Sequence, residues 1–173
     1  MTVASARPVL HVAVAIIRRG DEIVIVLQAA PGEEPSWSLP GGALEDGELL
    51  HEALEREVLE ETGLRVGSLG RLAFVLQFDN RLPEQLHKSR GPGRGYHVTV
   101  WTFEVDAWDG ELEPEDPDGL VSEARFVPVA DASARLEAVP WHSVTVKYLR
   151  GEIETGSLHL QRWHEDGRVE SYS

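Results

Sequence analysis

Leu50, Leu54 and Val58 recur at every fourth position with Ala53 beside them, a spacing that demands a helix with one apolar stripe. The pattern predicts a helix over Glu48 to Thr62, and Gly63 stands where a left-handed residue ends a helix. A stripe of this kind is stable only when buried against another layer of structure. Glu57, Glu60 and Glu61 fall at i, i+3 and i+4, so their side chains converge on one face of the same helix. Three carboxylates packed together repel one another. Two readings are open: a solvated acidic face, since Glu48, Glu52 and Glu55 share the helix, or a site for a hard divalent cation. Magnesium prefers oxygen ligands and bridges protein carboxylates to phosphate oxygens. Arg56 is spaced i+4 from Glu60 and i−4 from Glu52 and can hold carboxylates in place through paired N–H donors.

The segment ahead of the helix favours the second reading. Pro40-Gly41-Gly42 lets the backbone approach a ligand closely, with amides or carbonyls turned towards it. Glu48, at the expected helix start, suits the positive end of the helix dipole. Around this unit the chain alternates strands and loops. Val9 to Ile17 and Glu22 to Ala29 read as a strand pair joined by the turn Arg18-Arg19-Gly20-Asp21. Gly70 to Phe78, Tyr96 to Val105 and Glu123 to Val129 read as further strands. Asp131 to Ala138 and Trp141 to Arg150 read as helices parted by Pro140. The tail from Ser157 suits a hairpin about Asp166-Gly167. There are no repeats and no low-complexity linkers, so a single α/β domain is expected over residues 1–150, with 151–173 as a C-terminal extension packed on it.

Charge narrows the partners. Thirty acidic against 16 basic residues leave a formal charge of −14. A chain this acidic repels polyanions at long range, which argues against extended nucleic acid. The absence of cysteine excludes disulfides, thiolate metal sites and cysteine nucleophiles, and suits a reducing cytoplasm. No apolar run approaches the roughly 20 residues of a membrane span. A cytoplasmic protein with no membrane partner is expected.

Gly42, five residues, Glu48, seven residues, Arg56-Glu57, aliphatic Val58, one residue, Glu60-Glu61, one residue, then Gly63 and Leu64: this arrangement resembles the complete box of the Nudix hydrolase family. The lead-in Trp37-Ser38-Leu39-Pro40-Gly41 resembles that family's as well. The resemblance implies an α/β/α sandwich with a mixed sheet, and metal-dependent hydrolysis of a diphosphate linkage by attack of water on phosphorus. Carried over by position, it implies that Glu57, Glu60 and Glu61, with the carbonyl of Gly41, ligate magnesium or manganese. Glu60 is alternatively the partner of Arg56, and Glu48 braces the loop behind the ligands. The general base is Glu57 within the box or, as in some family members, a later carboxylate: Glu115, Asp116, Asp118 or Glu123.

Other signals are weaker. Arg81, His87, Lys88, Arg90 and Arg94 form the one notable basic cluster, so Arg81 and Arg94 are candidates for holding an anionic substrate. Trp37, Phe74, Phe78, Tyr96 and Trp108 could each stack on a base, although packing is the commoner use of such residues. No proline or tyrosine lies between Leu64 and Leu82, where relatives acting on ADP-ribose or diadenosine polyphosphates often carry one. The resemblance leaves a small nucleotide as the expected substrate: a nucleoside triphosphate, or else ADP-ribose or a nucleotide sugar in an enzyme that lacks the usual mark. The alternative is a non-catalytic module of the same fold that senses a nucleotide or sugar phosphate. By analogy with relatives, a homodimer is a possible assembly.

Overall fold

The computed structural model describes residues 9–29, 31–81 and 96–172. Strands β1 (Val9–Arg19) and β2 (Glu22–Gln28) meet at Gly20, whose φ of 63° lies where L-residues are strained. Two short strands follow, β3 (Ser36–Ser38) and β4 (Gly41–Ala43), then helix α1 (Leu50–Thr62). Long strands β5 (Arg65–Asn80) and β6 (His97–Asp109) pair antiparallel, and β7 (Val121–Pro128) pairs with β2. Helices α2 (Val129–Leu136) and α3 (Ser143–Leu149) flank a 3₁₀ turn at Pro140–His142. A terminal hairpin, β8 (Ser157–Trp163) and β9 (Val169–Tyr172), closes the described chain.

The sheet is mixed, in the order β3-β2-β1-β6-β5-β8-β9, with β4 on β1 and β7 on β2. β1 runs parallel to β6, and β8 runs parallel to β5. Alternation along β1 sorts the two faces. Ala13, Ala15 and Ile17 turn towards α1 and pack with its Ala53, Leu54 and Val58. Ile16 turns the other way, into a second core shared with Ile23, Ile25, Phe74, Leu76, Phe78, Leu136 and Val146. Helices thus cover both faces, which makes the α/β/α sandwich. Leu54 and Val58 are fully buried, each worth about 1.5–3 kcal/mol on transfer from water.

The strands are longer than their apolar runs suggest, because edge residues of mixed polarity continue the ladders. β5 begins at Arg65 and β6 ends at Asp109, with the register shifting several times between them. The terminal hairpin carries Trp163, which is 1% exposed and stacks on Phe78 with ring centroids 4.6 Å apart. That contact ties the extension to the core of the preceding residues.

His142 is buried, and among the described residues its Nε2 has no hydrogen-bond partner. Burial pushes its pKa down to about 4. Its folded value lies below the ordinary one of about 6.5, so the unfolded chain binds the extra proton. The stability contributed by neutral His142 is complete above about pH 6.5 and declines as pH falls towards 4, by about 3 kcal/mol in all. His142→Phe should therefore flatten the acid limb of stability. Chemical denaturation of both proteins between pH 4 and 7 checks this, and parallel curves would show that His142 does not titrate with unfolding.

Candidate active site

The site begins with close backbone approach. Gly41 has φ 144°, and a Cβ there would press on the Ala13 carbonyl and lie 2.7 Å from Val14 Cα. The absent side chain lets β4 lie against the middle of β1, where Gly41, Gly42 and Ala43 pair with Val14, Ala13 and Val12. A Cβ on Gly42 would meet the carboxylate of Glu57, with its Cδ at 2.5 Å. The two glycines therefore do different things: the first admits the strand, the second leaves room for a carboxylate.

The helix delivers the acids. α1 starts at Leu50 rather than Glu48, and its first turn is capped by Glu52, whose carboxylate accepts from the Leu49 amide at 2.8 Å. Glu48 lies outside the helix and folds back over it. There it accepts two hydrogen bonds from Arg56, from Nε at 2.8 Å and Nη2 at 2.9 Å, and one from the Glu45 amide. Arg56 also donates to Glu57 at 2.7 Å and to the Ala43 carbonyl at 3.2 Å, and it lies 3.6 Å from Glu60. It thus pins the loop, Glu48 and Glu57 as one unit. The Arg56 hydrogen bonds hold the Glu48 carboxyl well below the usual carboxylate range. Gly63 ends the helix at φ 80°, and its amide donates to the Leu59 carbonyl.

Glu61 is in a different position. It is 8% exposed, and its Oε2 accepts a hydrogen bond from the Gly41 amide at 2.8 Å. Burial pushes its pKa up to about 8; the Gly41 bond opposes this, while the charges of Glu57, Asp116 and Glu60 add to it. Burial likewise raises Glu57, against the Arg56 hydrogen bond and with Glu60 and Asp116 contributing. These acids have only oxygen donors to offer. Glu61 is the member with no basic partner among the described residues, an arrangement suited to a hard cation. As placed, no three carboxylates or imidazoles among the described residues converge closely enough to enclose an ion. Arg56 meanwhile supplies positive charge to Glu48 and Glu57.

Of the four later acids, the structure brings Asp116 to the cluster. The loop after β6 docks along the end of α1, where the Glu113 amide donates to Thr62 and the Glu115 amide donates to Glu60. Asp116 is held by three amides, those of Asp118, Leu120 and Val121. The side chains of Glu115 and Asp118 are exposed. Glu123 sits on β7 and pairs with Arg125. Arg81 is hydrogen-bonded to Asp79 at 2.8 Å, with Arg162 3.7 Å from the same carboxylate. Arg94, with His87, Lys88 and Arg90, lies outside the described residues. Among the aromatic candidates, Phe74 and Phe78 are core residues and Trp108 packs on Phe126. Trp37 lies under two guanidinium groups, from Arg125 and Arg135. Nothing local in the sequence marks that cluster, because its members come from three separate elements.

Comparison with known proteins agrees with this architecture. A family model described as the NUDIX domain matches residues 8–149. A Mycobacterium tuberculosis protein named as mutator protein MutT4 is 35% identical over 103 residues, which is 58% of this chain and 36% of that protein. An ADP-ribose pyrophosphatase from Methanocaldococcus jannaschii is 33% identical over 110 residues, 62% of this chain and 58% of that protein. The chain thus spans less than two thirds of either relative. The crystal structure of a MutT protein from Bacillus halodurans superposes with a TM-score of 0.65 at 17% identity, covering 94% of this chain and 96% of that one, and shares the fold.

Proposed function

Since the chain belongs to the Nudix family, we propose that it hydrolyses the diphosphate linkage of a nucleoside diphosphate derivative, with magnesium or manganese as cofactor. The derivative is a nucleoside triphosphate, ADP-ribose or a nucleotide sugar. The observation that carries this reading is the buried Glu61, set beside Glu57 and Asp116 behind Gly41-Gly42. Burial of so much negative charge is costly, and it is useful when a cation and a polyphosphate arrive together.

In this reading Glu57, Glu60 and Glu61 draw together on the metal when it binds, the Gly41 carbonyl joins them, and Asp116 is the late carboxylate that completes the set. The ion, when bound, would neutralise diphosphate oxygens and lower the pKa of bound water. Glu57 is the base: a water oxygen bonds to phosphorus, the bridging P–O bond breaks, its electron pair leaves with the departing phosphate, and the water's proton passes to the carboxylate. Arg56 keeps Glu57 oriented, with Glu48 as its anchor. A sensing module has no need for this full set of braced acids, so hydrolysis is favoured over binding alone. Products identified by mass after incubation of nucleoside triphosphates, ADP-ribose and nucleotide sugars, with magnesium and with chelator, test the proposal. No metal-dependent product from any of them would overturn it.

Metal binding has its own expected result. An ion that binds only the folded protein stabilises it by about 2.7 kcal/mol at a hundredfold excess over Kd, which is roughly 5–10 °C in Tm for a domain of this size. Wild type should show that rise with magnesium or manganese, and Glu61→Gln should show much less. Equal responses in the two proteins would remove Glu61 from the ligand set.

A further inference from the structure

Gly63 does more than end α1. Gly20 and Gly47 are left-handed too, but a Cβ on either of them would meet nothing within 4 Å. A Cβ on Gly63 would lie 2.7 Å from the Glu113 carbonyl oxygen and 2.8 Å from both the Glu111 carbonyl oxygen and the Glu113 nitrogen. All three are backbone atoms of the loop after β6, and no rotamer moves them aside. Gly110, at the start of that loop, is close from the other side: its Cβ would lie 3.1 Å from the Gly63 carbonyl oxygen. Two glycines thus let helix end and loop approach backbone to backbone. The contact is hydrogen-bonded as well. The last carbonyls of a helix lack partners within it. The Glu113 and Glu115 amides donate to those of Thr62 and Glu60, both at 2.9 Å. Leu112 packs on the core that α1 shares with the sheet.

From that anchorage the loop carries Asp116 to the acids. Pro114 and Pro117 restrict the backbone on either side of Glu115-Asp116. Asp116 accepts the Asp118 amide on Oδ1 and the Leu120 and Val121 amides on Oδ2. A carboxylate has about four lone pairs, so one remains, on Oδ1. The charge of Asp116 acts on both Glu57 and Glu61. We propose that Gly63 is a positioning residue of the reaction: having no side chain, it seats the loop after β6 against α1 and so fixes Asp116 beside Glu57 and Glu61. This rests on the hydrolase reading and refines it. One helix supplies Glu57, Glu60, Glu61 and the seat, so the late carboxylate is registered against the other three through a single rigid element. A side chain at position 63 lifts the loop, and an error of about 1 Å in such a group costs about 10²-fold in rate.

Gly63→Asn separates this role from helix stopping, because asparagine tolerates the left-handed region yet brings a Cβ. Gly20→Asn is the control, with the same kind of φ and open space around it. Leu112→Ala weakens the docking from the loop side and leaves α1 and its cap unchanged. In the metal-free protein, amide exchange at Glu113 and Glu115 should be about tenfold faster in Gly63→Asn than in wild type, with Leu54 and Val58 in α1 still protected. With magnesium, its kcat should fall about 10²-fold while KM changes by less than about threefold. Leu112→Ala should show the same pattern more weakly, and Gly20→Asn should match wild type. Asp116→Asn completes the cycle: in that background Gly63→Asn should lower kcat by less than about threefold further, because both act through one carboxylate. Wild-type kcat or unchanged exchange in Gly63→Asn, or a full second loss in the double variant, overturns the inference and leaves the hydrolase reading standing. If Gly63→Asn does not fold, the cycle of Leu112→Ala with Asp116→Asn is read in the same way. No metal-dependent turnover by wild type in the substrate screen overturns the hydrolase reading and this refinement with it.

Discussion

Glu57→Gln should fold as wild type does and lose roughly 10³-fold in kcat, the scale on which a general base contributes. Glutamine preserves the size of the side chain and removes its charge. In the structure that charge is mostly buried and raised in pKa, so its loss relieves a desolvation cost. Against this, Arg56 loses a charged partner 2.7 Å away, though it keeps its paired bonds to Glu48. The two effects oppose each other, and Tm should move little. Catalysis has no such compensation, because neither metal ligation nor proton transfer survives the change. Glu55→Gln is the control, since Glu55 is exposed on the same helix and outside the converging set. The measurement is kcat for both variants with magnesium present, alongside thermal melts. Equal activity in the two would mean that the acidic face is only solvated.

Alanine at the two adjacent glycines should separate stability from chemistry. Gly41→Ala places a Cβ against backbone atoms of Ala13 and Val14 at a φ of 144°, where no side chain can rotate out of the way. Strained backbone alone costs about 1–3 kcal/mol, and displacing β4 from β1 adds to it, so a loss of about 4 kcal/mol is expected. Gly42→Ala meets instead the end of the Glu57 side chain, which can move. That variant should melt within a few degrees of wild type yet lose most of its activity, because Glu57 is pushed from its place beside Glu61. Denaturant titration and kcat on each variant read the split. A fully active Gly42→Ala would show that the Glu57 position beside the loop is not needed for turnover.

The division between these two glycines is not legible in the chain itself. Both belong to one motif, and only the pairing of Gly41 with Val14 and of Gly42 with Ala13 gives them different neighbours. The same holds for the later acids. Glu115, Asp116, Asp118 and Glu123 look alike in sequence, and the docking of the loop after β6 on the end of α1 brings Asp116 towards Glu57 and Glu61 while Glu123 stands on β7. Arg56 shows the limit from another side. Helical spacing offers Glu52 and Glu60 as its partners, whereas its strongest bonds go to Glu48, eight residues earlier, because the segment before the helix turns back over it.

What the sequence determined by itself is local and periodic. A stripe at every fourth residue sets the helix, a glycine at its end sets the stop, and spacings of three and four set which carboxylates share a face. Those relations follow from backbone geometry and hold wherever the helix packs. Tertiary structure alone decided which side chains meet across long separations: Asp116 with Glu57 and Glu61, Arg125 and Arg135 with Trp37, and Trp163 with Phe78. Their encounters depend on strand register and on the handing of residues to one sheet face or the other. No residue carries that information in its own neighbourhood. The burial that raises Glu61 likewise comes from the packing of β4 against α1, not from its place in the motif.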